Sequence, residues 1–502
     1  MLKNPCLREQ NTDKSETHHS EDEGHSSERL PMHSNDESIN AKDETTDAQS
    51  DWGRRLPENV LMHIFSLVCS ETGCIPFLVR ASKVCHLWNR VASINSLWHN
   101  VDLSGNRLKK AYKNDTRIRR LFLNKLTHVR HLDIGDWKLV NVTDVLAAIC
   151  ESCQRLESLS LSGWTRLSPA NLAYVATNLP NLSRVDLSRT VSDGKVVPAQ
   201  SYTSVLQIMT HRLTHLVLSN NTMCGLSQII IALSKCSQVI SPSIADILTR
   251  AHPAIFKSKL HQTSCPNLEL LDISFLQMHS TALINLEKFQ SGCQKLKVLR
   301  VTNSNIALSP VPLNIQVLSP GFPDLEELNI AAFTLFDESC SKPIVDDNSI
   351  ERILKTSTKL KLLDVRGQNS VSDAGLVRIP AWNVERLFLA GCCISRKNVS
   401  GLELIMQKWN HSLVEVDLSW VHINESLDSG LTALAECGEK SQLQILNLCG
   451  SSASLHAVKA VVLKCPLLNS LNLSSCRALS RGMKRRYTGG EISELRSKLK
   501  NS

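Results

Sequence analysis

Aromatic residues are scarce in this chain of 502 residues, with Phe, Trp and Tyr together making up 4%. Hydrophobic residues still reach 42%, so the apolar mass is mainly aliphatic. Ordinary compact domains lean on aromatic side chains to fill their cores. A core assembled from many small, similar units does not need them. Length agrees, being too great for one compact core and sufficient for several domains or one long repeat array.

Other absences narrow the function. No apolar run approaches the ~18 residues of a spanning helix, and the opening MLKNPCLREQNTDK lacks the apolar stretch of a signal peptide. No membrane partner is therefore expected. No phosphate loop, nucleophile elbow or paired metal motif occurs, so no catalytic residue, cofactor or metal is assigned. The 17 cysteines are odd in number and scattered among apolar positions without a disulfide-framework spacing. They read as reduced thiols, which fits a cytoplasmic or nuclear protein.

Charge is unevenly spread. Residues 1–50 hold five Lys/Arg and twelve Asp/Glu, a net of −7, which leaves +15 for the rest of a chain at +8. This segment is rich in Ser, Asp, Glu, His and Asn and cannot bury enough apolar area to offset its chain entropy, so it reads as a disordered acidic tail. His18, His19, His25 and His33 lack a folded frame for metal binding. Ser20, followed by Glu21, Asp22 and Glu23, offers an acid-preferring kinase a target, though a solvated tail explains it as well.

From residue 51 the character changes. Leu56-Pro57-Glu58 starts a helix, with Pro suited to the first turn and Glu58 complementing its positive end. Val60, Leu61, Ile64, Phe65 and Val68 fall on one helical face. Pro76 opens a second short helix through Phe77 and Leu78. A third carries Val84, Cys85, Trp88, Val91 and Ala92, and Leu97-Trp98 follow. Three short helices make a core too small to be secure alone, so this unit leans on a partner or on the next domain.

After a connector bearing Arg117, Arg119 and Arg120, the pattern L-x-x-L-x-L recurs from residue 126 onward, and repetition is the strongest signal in the chain. Its middle anchors are Leu132, Leu159, Val185, Leu216, Leu271, Leu299, Leu328, Leu363, Leu387, Val416, Leu446 and Leu471. Their separations run from 24 to 35 except for 55 between Leu216 and Leu271. CSQVISPSI (236–244) aligns with CPNLELLDI (265–273), predicting a thirteenth repeat with Pro242 at its anchor, either a decayed repeat or a hinge. Each repeat holds one short strand and one helix and cannot stand alone; stacking yields a curved solenoid with a parallel sheet on its concave side. Ile492, Leu495 and Leu499, at helical spacing, read as a cap for its end.

Candidate sites follow from position in the repeat. The residue between the last two strand anchors is Asp at 133, 186, 272, 364 and 417 and Asn at 329, 447 and 472. That row is either a stripe for a basic peptide or the polar filler of a solvated position. Arg300 and Phe388 break it, and with nearby Arg366 and Arg386 they are candidate substrate-binding residues. Trp137, Trp164, Cys392 and Cys476 occupy an inward position and should pack. Cys150 and Cys153 form a lone C-x-x-C in a packing position. His211 and His215 lie four apart but enter a strand, so they do not share a helical face as metal ligands would. The cluster Lys484, Arg485 and Arg486, like the connector arginines, lacks interleaved aromatics, and no nucleic-acid partner is expected. Long connections at about 189–204 and 332–350, the second holding Asp337, Glu338, Asp346 and Asp347, have room to protrude.

Leu56-Pro57-Glu58, Ile64-Phe65, Val84-Cys85-x-x-Trp88 and Leu97-Trp98 resemble the F-box signature, with a longer stretch at Cys69–Ile75 than is usual. The repeats resemble the cysteine-containing leucine-rich class, which Val371-Ser372-Asp373-Ala374-Gly375-Leu376 fits at a helix start. The chain as a whole resembles the F-box and leucine-rich-repeat family. That resemblance implies an α/β leucine-rich-repeat horseshoe of about thirteen repeats (126–480) behind a three-helix F-box (51–103), with an acidic tail (1–50), a basic connector (104–125) and a C-terminal cap (481–502). It also implies a non-catalytic substrate receptor for a Skp-cullin-F-box ubiquitin ligase. A Skp-type adaptor would bind Leu56, Pro57, Ile64, Phe65, Val84 and Cys85, and cullin and RING subunits would come through it. Trp88 and Trp98 would hold the helices together. An F-box scaffold that recruits no cullin is the alternative.

Overall fold

A computed structural model describes residues 56–104, 126–137, 141–190, 197–224, 226–234, 265–276, 281–332, 345–392, 401–421 and 424–501. Contacts divide the chain into Met1–Arg55 and Leu56–Ser502, and every described residue belongs to the second unit. The acidic tail, the connector arginines, the aligned segment 236–244 with Pro242, and Asp337 and Glu338 lie outside the described residues.

The chain opens with α1 (Glu58–Thr72), α2 (Cys74–Ala81) and α3 (His86–Ala92). Pro57 precedes α1, and Glu58 in its first turn pairs with Arg90 of α3. Gly73, at φ 84°, ends α1 and lets the chain turn at once into α2. Leu61, Phe65, Leu78 and Val91 form the small core between the helices. Phe65 meets Phe77 and Trp88 edge-on, with centroids 5.1 and 5.2 Å away, an arrangement the ring quadrupoles favour.

The helices do not end in a linker. Leu97 and Trp98 are buried, the Trp98 indole N–H donates to the Ala92 carbonyl at 2.8 Å, and the backbone passes directly into a strand. Among the described residues that strand is the first of fourteen in one sheet. They are β1 (Asn100–Asp102), β2 (His131–Asp133), β3 (Ser158–Ser160), β4 (Arg184–Asp186) and β5 (His215–Val217). Next come β6 (Leu270–Asp272), β7 (Val298–Arg300), β8 (Glu327–Asn329), β9 (Leu362–Asp364) and β10 (Arg386–Phe388). The last four are β11 (Glu415–Asp417), β12 (Ile445–Asn447), β13 (Ser470–Asn472) and β14 (Arg486–Thr488). They stand in sequence order, all parallel except β14, which runs antiparallel to β13.

Register places the predicted anchors side by side and adds one strand to them. Val101 of β1 pairs with Leu132, so the sheet begins within residues 51–103, where only helices are expected from the sequence. Leu216 pairs directly with Leu271, and the segment 236–244, expected as a further repeat, lies outside the described residues. Thirteen parallel strands stand among the described residues.

Short helices cover the inner face of the sheet and carry the expected caps: Ser168, Asn285 and Ser454 each accept an N–H of the first turn. Helix Leu313–Leu318 is the exception, burying none of its residues. At the far end, helix Gly490–Lys500 buries Ile492, Leu495 and Leu499, and Arg496 donates to the carbonyls of Val462 and Pro466 at 2.9 Å each.

One position ties several of the repeats to their predecessors. Five residues past the anchor, a side chain donates to the carbonyl two residues past the preceding anchor. Trp137 does so to Leu103 at 2.6 Å, Trp164 to Ile134 at 2.7 Å and Asn221 to Leu187 at 2.8 Å. The thiols of Cys392 and Cys476 do so to Val365 and Leu448 at 2.9 and 3.0 Å. Packing, as the registry predicts, accounts for both tryptophans and both cysteines.

Burial pushes the thiols of Cys74, Cys153 and Cys265 up to about 12, and those of Cys69 and Cys150 up to about 11, from an ordinary 9.0. In the unfolded chain these thiols ionise above pH 9, whereas the folded chain keeps them protonated. Between pH 9 and 12 the unfolded state therefore binds fewer protons, and stability falls as pH rises. Urea unfolding should show a lower midpoint at pH 10 than at pH 8. Cys153→Ala with Cys265→Ala should reduce that drop.

Candidate docking and recognition surfaces

Helix α1 shows two apolar faces where the periodicity predicts one. Leu61 and Phe65 point inward, each 1% exposed, while Val60, Ile64 and Leu67, at i, i+4 and i+7, point outward. Leu67 is 53% exposed, and Val84, between α2 and α3, reaches 61%. Of the expected docking residues, Pro57, Ile64 and Val84 are exposed, and Leu56 and Cys85 are half-buried. The Cys85 sulfur accepts the Trp88 N–H at the start of α3, at 3.5 Å. Phe65 is corrected from docking residue to core residue, because its ring is enclosed by Phe77 and Trp88. Phe65→Ala should cost about 3–5 kcal/mol of stability, visible as a lower melting temperature, rather than remove a surface contact.

Trp88 packs on Phe65, and the Trp98 indole ties the segment before β1 to the Ala92 carbonyl at the end of α3. A further tie is the Cys74 thiol, which donates to the Asn100 carbonyl on the edge strand at 3.2 Å.

On the solvent face of the sheet, the Asp/Asn row has a local purpose. Asp102, Asp133, Asp186, Asp272 and Asp417 each accept the N–H two residues on, at 2.8–2.9 Å. Asn447 and Asn472 do the same at 3.1 Å. Such side chains fix the turn that leaves the strand, and the next residue adopts positive φ at Asp136, Arg189, Asn220, Gly367, Trp420 and Gly450. The row is a turn device, which explains it without a bound peptide. Asp346 and Asp347 are likewise used locally, Asp346 capping helix Asp347–Leu354 and Asp347 accepting the Ser372 N–H at 2.7 Å.

The residues that break the row separate into two places. Arg300 forms two hydrogen bonds with Glu327 of the adjoining strand, at 2.5 and 3.1 Å. Two strands away, Arg366 holds Asp364 through two hydrogen bonds of 2.9 and 2.6 Å, lies 3.7 Å from Asp417 and stacks 5.0 Å over the Phe388 ring. Arg386, on the same strand as Phe388, is exposed and stands opposite Glu415 in the register. The geometry thus gathers Arg366, Phe388 and Arg386 and leaves Arg300 apart. Trp420 stands in the turn after the next strand, β11, 57% exposed and at φ 60°. Its signal was available: a tryptophan in a turn position that neighbouring repeats fill with Gly391 and Gly450.

The other candidates have structural uses or none visible. Cys150 and Cys153 are buried. His215 lies on β5, where burial lowers its pKa, and His211 precedes the strand. Arg485 pairs with Glu491 at 2.7 Å and stacks on Tyr487. Among the described residues no cluster of His, Cys, Asp or Glu has the makings of a metal site, and no helix is long and apolar enough to cross a membrane.

Comparison with known proteins agrees with the helical unit. Residues 54–104 match the F-box-like family model. F-box/LRR-repeat protein 23 of Arabidopsis thaliana is 24% identical over 130 residues, 26% of this chain and 29% of that protein. The match therefore spans under a third of the relative's length. Two solved structures are loosely similar. The crystal structure of the yeast Rad7 and Elc1 complex has a TM-score of 0.42 at 16% identity, covering 91% of each chain. The Arabidopsis receptor kinase HAESA, solved with the peptide hormone IDA and the co-receptor SERK1, has a TM-score of 0.39 at 15% identity, covering 75% of this chain and 50% of that one. At TM-scores below 0.5 these likenesses carry no inference about function. An F-box-like domain running into a parallel-strand array, together with the distant Arabidopsis relative, supports the F-box and leucine-rich-repeat family for this chain.

Proposed function

We propose that this chain is the substrate-recognition subunit of a Skp-cullin-F-box type ubiquitin ligase. On this reading the helices bind a Skp-type adaptor, cullin and RING subunits arrive through it, and a horseshoe of repeats holds a protein substrate for ubiquitination. The observation that carries it is the outward stripe Val60, Ile64 and Leu67 on an F-box-like unit built directly onto the sheet. Apolar side chains set in a row on a small helical unit suit an interface, and a unit joined without a linker keeps a bound substrate at a fixed distance from the adaptor. The chain then contributes effective concentration and orientation rather than bond chemistry. Residues 1–50 would be its tail, and cytoplasm or nucleus its location.

Purification from cells treated with a proteasome inhibitor tests this. Adaptor and cullin should come with the chain, and Leu56→Ala with Pro57→Ala should release them. A well-folded chain that never brings down a cullin would instead be a scaffold.

A further inference from the structure

We propose that the solvent face of β9–β12 binds an extended polypeptide segment in which an apolar side chain lies beside a lysine or arginine. The proposal rests on the receptor reading and names the class of substrate for that same face.

Shape is the first argument. Phe388 on β10, Trp420 after β11 and Ile445 on β12 present apolar surface, with Trp420 57% and Ile445 38% exposed. The turn positions around them hold Ala390, Gly391, Ser419, Cys449 and Gly450, all small, so a partner backbone can approach closely. Trp420 stands at φ 60° in the left-handed turn position that the other repeats share. Gly450 makes the pose feasible, since a Cβ there would meet the indole at 2.6 Å. A ring fixed in advance loses little entropy on binding, which suits an anchor.

Charge is the second argument. Arg366 bridges the buried carboxylates of Asp364 and Asp417. With Glu385 and Glu415 added, the face carries four carboxylates against the guanidiniums of Arg366 and Arg386, a net of −2. Glu385 and Glu415 form no ion pair among the described residues, although Lys361 and Arg366 stand near them, so their charge is open to solvent and accessible to a partner. The Phe388 ring already accepts a guanidinium at 5.0 Å, the contact a substrate cation would repeat on an aromatic face. Residues 1–50, at net −7, have the wrong sign to occupy the patch.

The test uses the full chain and short synthetic peptides carrying Leu, Phe or Trp beside Lys or Arg, with matched peptides carrying Glu instead. Fluorescence polarisation should show binding of the basic set that weakens with salt. Phe388→Ala and Trp420→Asn should each weaken it at least about tenfold, the asparagine being chosen because it tolerates left-handed backbone. Glu385→Gln with Glu415→Gln should weaken it several-fold and flatten the salt dependence. Circular dichroism and adaptor binding should match the wild type in every variant. No binding, equal or better binding of the Glu set, or affinities untouched by Phe388→Ala and Trp420→Asn would each overturn the proposal. A chain that binds the basic peptides but recruits no cullin would keep this inference and lose the ligase reading.

Discussion

Arg352→Ala should lower the stability of the repeat array by about 3–5 kcal/mol, because it leaves a buried carboxylate without a partner. Arg352 and Glu287 have side chains only 8% and 5% exposed. The guanidinium makes three contacts with the carboxylate at 2.8–3.1 Å and a further one with the Ser309 carbonyl at 3.1 Å. The pair joins helix Leu286–Gly292 to helix Asp347–Leu354, two repeats apart, because the intervening helix Leu313–Leu318 stands outside the layer. Replacing both partners, as Glu287→Leu with Arg352→Leu, should recover most of the loss, since no charge is then stranded. Urea unfolding followed by circular dichroism measures both. A single variant within about 1 kcal/mol of wild type would mean that water reaches the pair.

Ile64→Asp with Val84→Asp should weaken adaptor binding at least ~100-fold, about 2.8 kcal/mol. Both side chains are exposed, at 38% and 61%, so folding should change little. Phe65→Ala supplies the contrast, reducing affinity only through loss of the folded helical unit. Titration calorimetry and melting temperatures of the three proteins separate the cases. Intact affinity in the surface pair would mean that this face of the helices does not dock the adaptor.

The sequence made the array legible because a period of two residues in each strand and a repeat of strand plus helix both leave regular aliphatic marks. The anchors from Leu132 to Leu471 stand in the register that spacing predicts. Val101 was missed because its strand is preceded by helical residues instead of a repeat, so nothing upstream repeats with it. Phe65 was misplaced because one helical turn carries both an inward and an outward apolar residue, and hydrophobicity does not distinguish them. Phe388 is legible as a break in the Asp/Asn row, with Arg366 and Arg386 beside that row in the sequence. Their acidic neighbour Asp417 lies 51 residues beyond Arg366, a proximity that only the folded register supplies. Trp420 stands out only when the repeats are aligned past the strand anchors, where its neighbours hold Gly391 and Gly450.

Hydrogen exchange of the full chain, with and without a purified Skp-type adaptor, separates docking helices from receiving strands. Adaptor binding should slow exchange in α1 and at the start of α3, and leave the strands β9–β12 as they were, free for a substrate. Unchanged exchange throughout the helices, or protection confined to the sheet, would contradict an F-box that docks an adaptor while the repeats receive something else.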